Sequence, residues 1–523
     1  MNWLFELAMF KQNYYQDKIA IIDYDNNVSI TYKLLKRNAA IFSDILRNNY
    51  KVTHGQAIGF ISENRVELLY AFFSSYTIGN VLSVYNYNLK PNDINAFISN
   101  EKPRIIFYEA KFQNHVDILS NLNPDILFVN IEDLNFDECE FNEIRDIGVN
   151  LDDTQFYMHT GGTTGTPKTA CISFRAILTN AISEIYTWEL SSSDSTLVML
   201  PLFHTAGWND LLLPLLFVGG TIVLTKRFNP KTAIKIFKKY NPTVGIAVPA
   251  IYNSILEDEE FDSVDWKKFR FLVVGAAPIT QHLVNQYAAK GVKLTNGYGM
   301  TEVGPNNIIH PMNNESIELL LKKWNSIGKP MLFNNVRIID EFGNDVKVGN
   351  PGELVFKGPM NFTKYLNNPE ETEQTIHNGW VHTGDIAYID DEGYYYLIGR
   401  KKIMYISGGE NIFPLEIEQI ILQFNEVMEV CVFGVYDHKW GEIGKALLVV
   451  SPLFKKEKFL DYINSHISAI KRPRYYQIVE RIPKNDVGKI DYSKIVLKYS
   501  ENTPNDLFFE YRDEYKEVSN EHK

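Results

Sequence analysis

Cysteine is scarce in this chain. Its three copies, Cys139, Cys171 and Cys431, are scattered singly, with no CxxC or CxxxC spacing. That pattern speaks against a disulfide framework and a cysteine-based zinc site, and it fits a reducing cytosol, so a cytoplasmic location is expected. Positive charge is in deficit as well. A formal net charge of −12 argues against nucleic acid, or an anionic membrane, held by a global positive field. A chain of this kind that handles anions needs a locally built positive site. Long apolar runs are also missing. The most apolar stretch, LLLPLLFVGGTIVL at 211–224, is broken by Pro214, Gly219 and Gly220. It reads as buried core, and no transmembrane segment is expected. The opening residues MNWLFELAMFKQNYY lack the basic start, apolar run and small-residue cleavage site of a signal peptide. Internal repeats and low-complexity segments are absent too.

What is present suits a large globular α/β protein. At 523 residues the chain is too long for one compact core, which predicts more than one domain. TVGIAV (243–248) and RFLVVGAA (270–277) read as buried strands. TQHLVNQYAAKG (280–291) has helical apolar spacing with Gly291 as its stop, and VKLTNGYG (292–299) reads as the next strand. In open α/β sheets, ligands collect at the carboxyl ends of such strands. After about residue 330, turns such as DEFGN (340–344) and DDEGY (390–394) predict antiparallel strands. A second small α/β unit is expected from GRKKIMYISGGENIFP (399–414), with LEIEQIILQF (415–424) as an amphipathic helix. The polar stretch after about 500 is expected to be a helical or frayed tail.

The chemistry concentrates in HTGGTTGTPKT, residues 159–169. Glycines let backbone N–H groups converge on an anion. Thr160, Thr163, Thr164 and Thr166 add hydroxyls, and Lys168 adds a cation. Together they describe a phosphate cradle, although a loop of this composition is by itself more often only a mobile surface loop. It is not a Walker loop, which needs Gly before the Lys where Pro167 stands. Three more stretches bear on the same reading. NGYGMTE (296–302) carries an aromatic and a Thr-Glu pair at a strand end, HTGD (382–385) an acid in a tight turn, and PKNDVGKI (483–490) a lysine, Lys489, in a late turn. Alone, Lys489 would be a solvated surface lysine, Asp385 a turn cap, Glu302 a surface acid and Tyr298 a core aromatic.

In this order and spacing, together with PLFHTAG (201–207), GAAP (275–278) and GRKKIMYISGGENIFPLEIE (399–418), these stretches resemble the adenylate-forming superfamily. That group comprises acyl- and aryl-CoA synthetases, amino-acid adenylation domains and firefly-type luciferases. The resemblance runs from roughly residue 10 to 500 and is nearest to fatty acyl-CoA ligases. It implies an α/β fold: a large N-terminal domain (1–401) of mixed sheets flanked by helices, and a small mobile α+β C-terminal domain (402–523) hinged at Lys402. It also implies an enzyme of two half-reactions, in which a carboxylate attacks the α-phosphate of ATP and a thiol then displaces AMP.

The family pattern assigns roles residue by residue. Thr160, Gly161, Gly162, Thr163, Thr164, Gly165, Thr166 and Lys168 would hold the β- and γ-phosphates. Lys489 would bridge substrate carboxylate and α-phosphate, and Thr301 would donate to that phosphate. Glu302, with Thr164, would hold Mg²⁺, a hard ion suited to oxygen ligands. Asp385 would accept from the ribose hydroxyls, supported by Arg400. Tyr298, flanked by Gly299 and Met300, would stack on adenine, whose edge meets Ala276 and Ala277. His204 would gate the acid site. Thr205, Ala206, Tyr252, Gly275, Gly297, Gly299 and Gly304 would line the acid pocket. Gly408, Gly409 and Trp440 would border the pantetheine channel, and KRPR (471–474) is either an aid to binding the CoA phosphates or a solvated basic turn.

CoA and a carrier protein share the pantetheine thiol. No insertion lies between Glu302 and Thr383 of the kind that fatty acyl-AMP ligases carry, which favours CoA over an acyl carrier protein. Thr205 stands where adenylation domains place an Asp for the substrate ammonium, which disfavours an α-amino acid. Small residues at the pocket positions leave room for an apolar chain and suggest a medium- or long-chain fatty acid over an aryl acid, unless Trp208 narrows the entrance. Three positions depart from the family pattern: Gly161 for a usual Ser, Thr169 for a usual Gly, and Ile403 for a common Asp.

Overall fold

The computed structural model describes residues 14–136, 149–161, 167–484, 490–501 and 507–508. Among the described residues, four sheets lie before residue 401 and a fifth lies beyond it. A seven-stranded sheet runs in the order Lys364–Tyr365, Pro167–Ser173, Thr154–Gly161, Val81–Val84, Ala57–Ile61, Ile105–Tyr108, Leu127–Asn130. Its central strands are parallel and buried on both faces, as their unbroken apolar runs require. The strand–helix–strand unit expected at 270–299 is present. Phe271–Val274 and Leu294–Met300 pair in parallel, and helix Gln281–Ala289 connects them. Gly291, at φ +79°, follows the helix end.

The apolar stretch at 211–224 folds into helix Leu212–Val218 and strand Thr221–Leu224, both in the core. Among the described residues no helix is long and apolar enough to cross a membrane. Past residue 330 the sheet is antiparallel as expected: Asn335–Ile339 pairs with Gly352–Lys357, and Trp380–Ile389 pairs with both Gly352–Lys357 and Tyr395–Arg400. The HTGD segment departs from the turn expected for it. It lies inside strand Trp380–Ile389, where Gly384 takes φ +70° and the register slips, so the strand bends without ending.

The small unit holds strands Tyr405–Ser407, Glu410–Ile412, Val427–Asp437, Gly441–Val450 and Tyr475–Ile478, with helices Pro414–Ile421 and Lys456–His466. It has its own apolar core around Ile417, Val432, Leu448, Phe459 and Tyr476. The expected tail is corrected in one respect. Leu507–Phe508 forms a short strand that pairs antiparallel with Tyr475–Tyr476.

Candidate active site

Two sheets meet where the motifs converge. Antiparallel register sets Arg400 opposite Asp385, and Arg400 Nε donates to Asp385 Oδ1 at 2.8 Å. Tyr298 enters from the neighbouring sheet, and its hydroxyl donates to Asp385 Oδ2 at 2.6 Å. The Asp385 amide donates to Thr383 Oγ1, whose hydroxyl is fixed on the Leu354 carbonyl. Asp385 is only 5% exposed, yet each oxygen has a donor and one partner is a cation. Burial and the Asp385 charge push the Tyr298 phenol well up, so it stays protonated as a donor. The Asp385 charge, in turn, raises Arg400 against its own burial. One face of the Tyr298 ring is stacked on Phe356, with centroids 5.9 Å apart. Thr301 is half-buried beyond Met300 at the end of the same strand. The GAAP segment follows strand Phe271–Val274, with Ala276 held at φ +66° and both Ala276 and Ala277 exposed. A non-glycine residue in that region is uncommon and is stabilised only by its surroundings.

The opening loop is carried by a hairpin, Thr154–Gly161 paired with Pro167–Ser173, with Thr160 opposite Lys168. Gly162, Thr163, Thr164, Gly165, Thr166 and Lys489 lie outside the described residues. Lys168 pairs with Glu371 and sits 5.4 Å over the ring of Tyr365. Tyr365 donates its hydroxyl to Glu302 Oε1 at 2.6 Å, so the loop's lysine and the acid expected at the metal are joined through one tyrosine. Below the hairpin, Glu101 is buried and crowded with donors. His159 Nε2 lies 2.7 Å away, Thr169 Oγ1 donates at 3.0 Å, Ser83 at 2.7 Å and Tyr85 at 2.9 Å. Thr169, the unusual residue after the lysine, thus ties the hairpin to Glu101. Glu101, Tyr365 and Glu371 escape sequence reasoning because no local pattern marks them.

On the small unit, Gly408 takes φ +58°, and a Cβ there would meet the Trp440 ring at 2.6 Å. The Gly408 amide donates to the Trp440 carbonyl at 2.9 Å. Arg474, from KRPR, lies 5.4 Å over the same indole. Gly409 is exposed at φ +90° with open space where a Cβ would project. Two segments expected at the pantetheine channel and one expected near the CoA phosphates therefore meet at one tryptophan.

The expected acid-pocket residues differ among themselves. His204 stands just before helix Thr205–Asn209, its ring 4.6 Å from that of Phe203. Thr205 and Ala206 are half-buried, and Thr205 Oγ1 accepts from Asn209. Gly275 borders open space. Gly299 is required by the close approach of the Pro305 backbone, and at Gly297 a Cβ would crowd the side chains of Ile309, Asn306 and Val273 at 3.1–3.3 Å. Gly304 faces the Asn180 side-chain oxygen at 3.1 Å. Tyr252 lies in the core against Tyr287. Trp208, expected near the entrance, is instead fully buried against Phe72 and Phe156, with its indole N–H on the Leu202 carbonyl.

Residues 10–366 match the AMP-binding enzyme family, and residues 416–489 match the C-terminal domain of AMP-binding enzymes. The chain is 30% identical to a feruloyl-CoA synthase of an Amycolatopsis species, over 88% of this chain and 92% of that protein. It is 29% identical to a long-chain-fatty-acid–CoA ligase of Mycobacterium tuberculosis, over 93% of this chain and 96% of that protein. Its fold is similar to that of the o-succinylbenzoate CoA synthetase of Bacillus subtilis in complex with an acyl-adenylate. The TM-score is 0.84 and the identity 26%, covering 96% of this chain and 99% of that one.

Proposed function

The chain belongs to the AMP-binding enzyme family, and on that premise we propose that it is an ATP-dependent acid–thiol ligase that forms an acyl-CoA. A carboxylate oxygen attacks the α-phosphorus of ATP, the bond to the β-phosphate breaks, and pyrophosphate leaves. The thiol sulfur of CoA then attacks the acyl carbon, the bond to AMP breaks, and the thiol proton is lost. The observation that carries this reading is the Asp385 cluster. Its carboxylate has four lone-pair positions, of which Tyr298 and Arg400 occupy two, so it can accept from two ribose hydroxyls. Adenine would lie against the Tyr298 face opposite Phe356, with its edge at Ala276.

The first step brings two anions together, and at about 4 Å in an effective dielectric near 20 they repel by roughly 4 kcal/mol. Lys168 and Lys489 offset this, and Lys168 exchanges Glu371 for phosphate oxygens. The Glu302 carboxylate, nearly buried with Tyr365 on one oxygen, fits a hard cation, and Mg²⁺ held there would neutralise phosphate charge. The Gly408–Trp440–Arg474 contact supports CoA as the thiol, with the small unit turning about Lys402 between steps. A phosphopantetheinyl carrier protein is the alternative acceptor. Gly275, which borders open space, and the small half-buried residues Thr205 and Ala206 support a medium- or long-chain fatty acid. Aryl acids are the competing class, and relatives named for each kind match comparably. The test is pyrophosphate release across aliphatic and aryl carboxylic acids, with and without CoA. Release completed by CoA supports the ligase. Release without CoA turnover points to a carrier protein, and silence across the panel would overturn the reading.

A further inference from the structure

A second buried acid cluster lies in the large unit, and none of the steps above uses it. Glu184, on helix Phe174–Trp188, is 0% exposed, and Asp210, just past helix Thr205–Asn209, is 2% exposed. Asn306, on strand Gly304–Ile309, joins them, with Nδ2 donating at 3.1 Å to both Glu184 Oε1 and Asp210 Oδ1. Asn180, one turn before Glu184, donates to the Asn209 carbonyl at 2.7 Å and to Glu184 Oε1 at 3.4 Å. Among the described residues neither carboxyl is paired with a Lys, Arg or His.

The hydrogen-bond inventory does not balance. Glu184 Oε2, Asn180 Oδ1 and Asn209 Oδ1 are buried with no partner. A buried acceptor without a donor costs about 1–3 kcal/mol, so native folds rarely keep several together. A proton on one carboxyl would serve its neighbour and still leave the asparagine oxygens unserved.

The cluster sits on the elements expected to wall the acid pocket. Asn180 Oδ1 lies 3.1 Å from the Cβ position of Gly304, and Asn306 Oδ1 lies 3.3 Å from that of Gly297. The Asp210 amide bonds back to the Ala206 carbonyl. One unserved acceptor, Asn180 Oδ1, therefore lies directly behind the expected pocket wall at Gly304, with the other two in the same cluster. An unsubstituted hydrocarbon tail would leave them dry, whereas a hydroxyl or amine would supply the missing donors.

We propose that Asn180, Glu184, Asp210 and Asn306 form the far end of the acid pocket. They would select carboxylic acids that carry a hydrogen-bond-donating group, hydroxyl or amino, remote from the carboxylate. The inference rests on the ligase reading and narrows it. The experiment measures kcat/KM for thioester formation by the full chain with matched acids. Octanoate is set against its ω-hydroxy and ω-amino derivatives, and phenylpropanoate against its para-hydroxy and para-amino derivatives. At least one donor-bearing acid should exceed its plain counterpart by about tenfold or more, because a site built around hydrogen bonds rejects analogues that lack them. In Glu184→Gln/Asp210→Asn that ratio should collapse toward one. A substrate ratio is not moved by a merely structural loss, and the wild-type ratios decide the matter even if the double variant does not fold. Preference for the hydroxyl over the amine would mark a neutral, proton-sharing pair, and the reverse an ionised one. Plain acids used as well as substituted ones would overturn the inference and leave the ligase intact. No pyrophosphate with any acid would remove both.

Discussion

Asp385 and Glu184 are both carboxylates removed from water in the large unit, and their surroundings are opposite. Asp385 has a guanidinium on one oxygen and a phenol on the other. Glu184 has amides on one oxygen, none on the other, and a second carboxyl within reach of the same asparagine. Burial is therefore not what separates them; the supply of donors is. At the nucleotide end, charge is matched in advance, with the Arg400 guanidinium already beside the carboxylate. At the acid end the matching group is missing from the protein, and burial with the Asp210 charge holds the Glu184 carboxyl well above its usual range.

The strongest way to break the nucleotide half of this comparison is to remove a cation. Lys489→Ala should lower adenylate formation by roughly 10²–10³, the usual loss for one stabiliser of developing charge. Pyrophosphate release with saturating acid reads it, and near-normal release would remove Lys489 from the reaction. Next, Asp385→Ala should lower kcat/KM for ATP by about 10², since charge-assisted hydrogen bonds contribute about 1.5 kcal/mol or more each. An unchanged value would mean that the carboxylate serves only Tyr298 and Arg400.

The acid half is sharpened by pH. The folded Glu184–Asp210 pair retains a proton that the unfolded chain releases above the ordinary carboxylate range. Stability from this pair is thus present at low pH and lost as pH rises toward the raised folded values. Glu184→Gln should gain on wild type as pH is raised from about 5 to 8, by at most about 1.4 kcal/mol per pH unit for one retained proton. Denaturant titrations at stepped pH measure the difference, and a flat difference would mean that the pair is not held protonated. The smallest effect belongs to Glu371→Gln. It frees Lys168 from a partly exposed ion pair of the kind that contributes about 0.2–1 kcal/mol. KM for ATP should fall about two- to fivefold; a rise would show that Glu371 orients the lysine.

Much of this was legible before any coordinates. Periodicity found the strand–helix–strand unit at 270–299, and turn signals found the antiparallel sheet beyond 330, because each carries its own local pattern. Tyr298, Asp385 and Arg400 were named from motifs and meet in space. HTGD was read as a turn because glycine followed by aspartate is a turn signal, whereas cross-strand pairing kept the segment extended around Gly384. Glu101, Tyr365, Glu184 and Asp210 were not legible at all. Most of their partners lie on other elements, 122 residues away in the case of Asn306 and Glu184, and an acid's neighbours are set by packing. The pocket glycines were read as room for a substrate, yet at Gly297 and Gly299 the missing side chain makes way for the protein itself.

The short pairing of Leu507–Phe508 with Tyr475–Tyr476 has a practical bearing on how the chain is handled. Those two residues form the outermost strand of the small unit's sheet, next to Tyr475–Ile478. Trimming the polar segment at about residue 500, a natural step for a crystallographer seeking a tidier chain, would strip that cover from Tyr475–Ile478. The freed N–H and C=O groups would offer a template for another molecule's strand, and the trimmed chain would be prone to self-association.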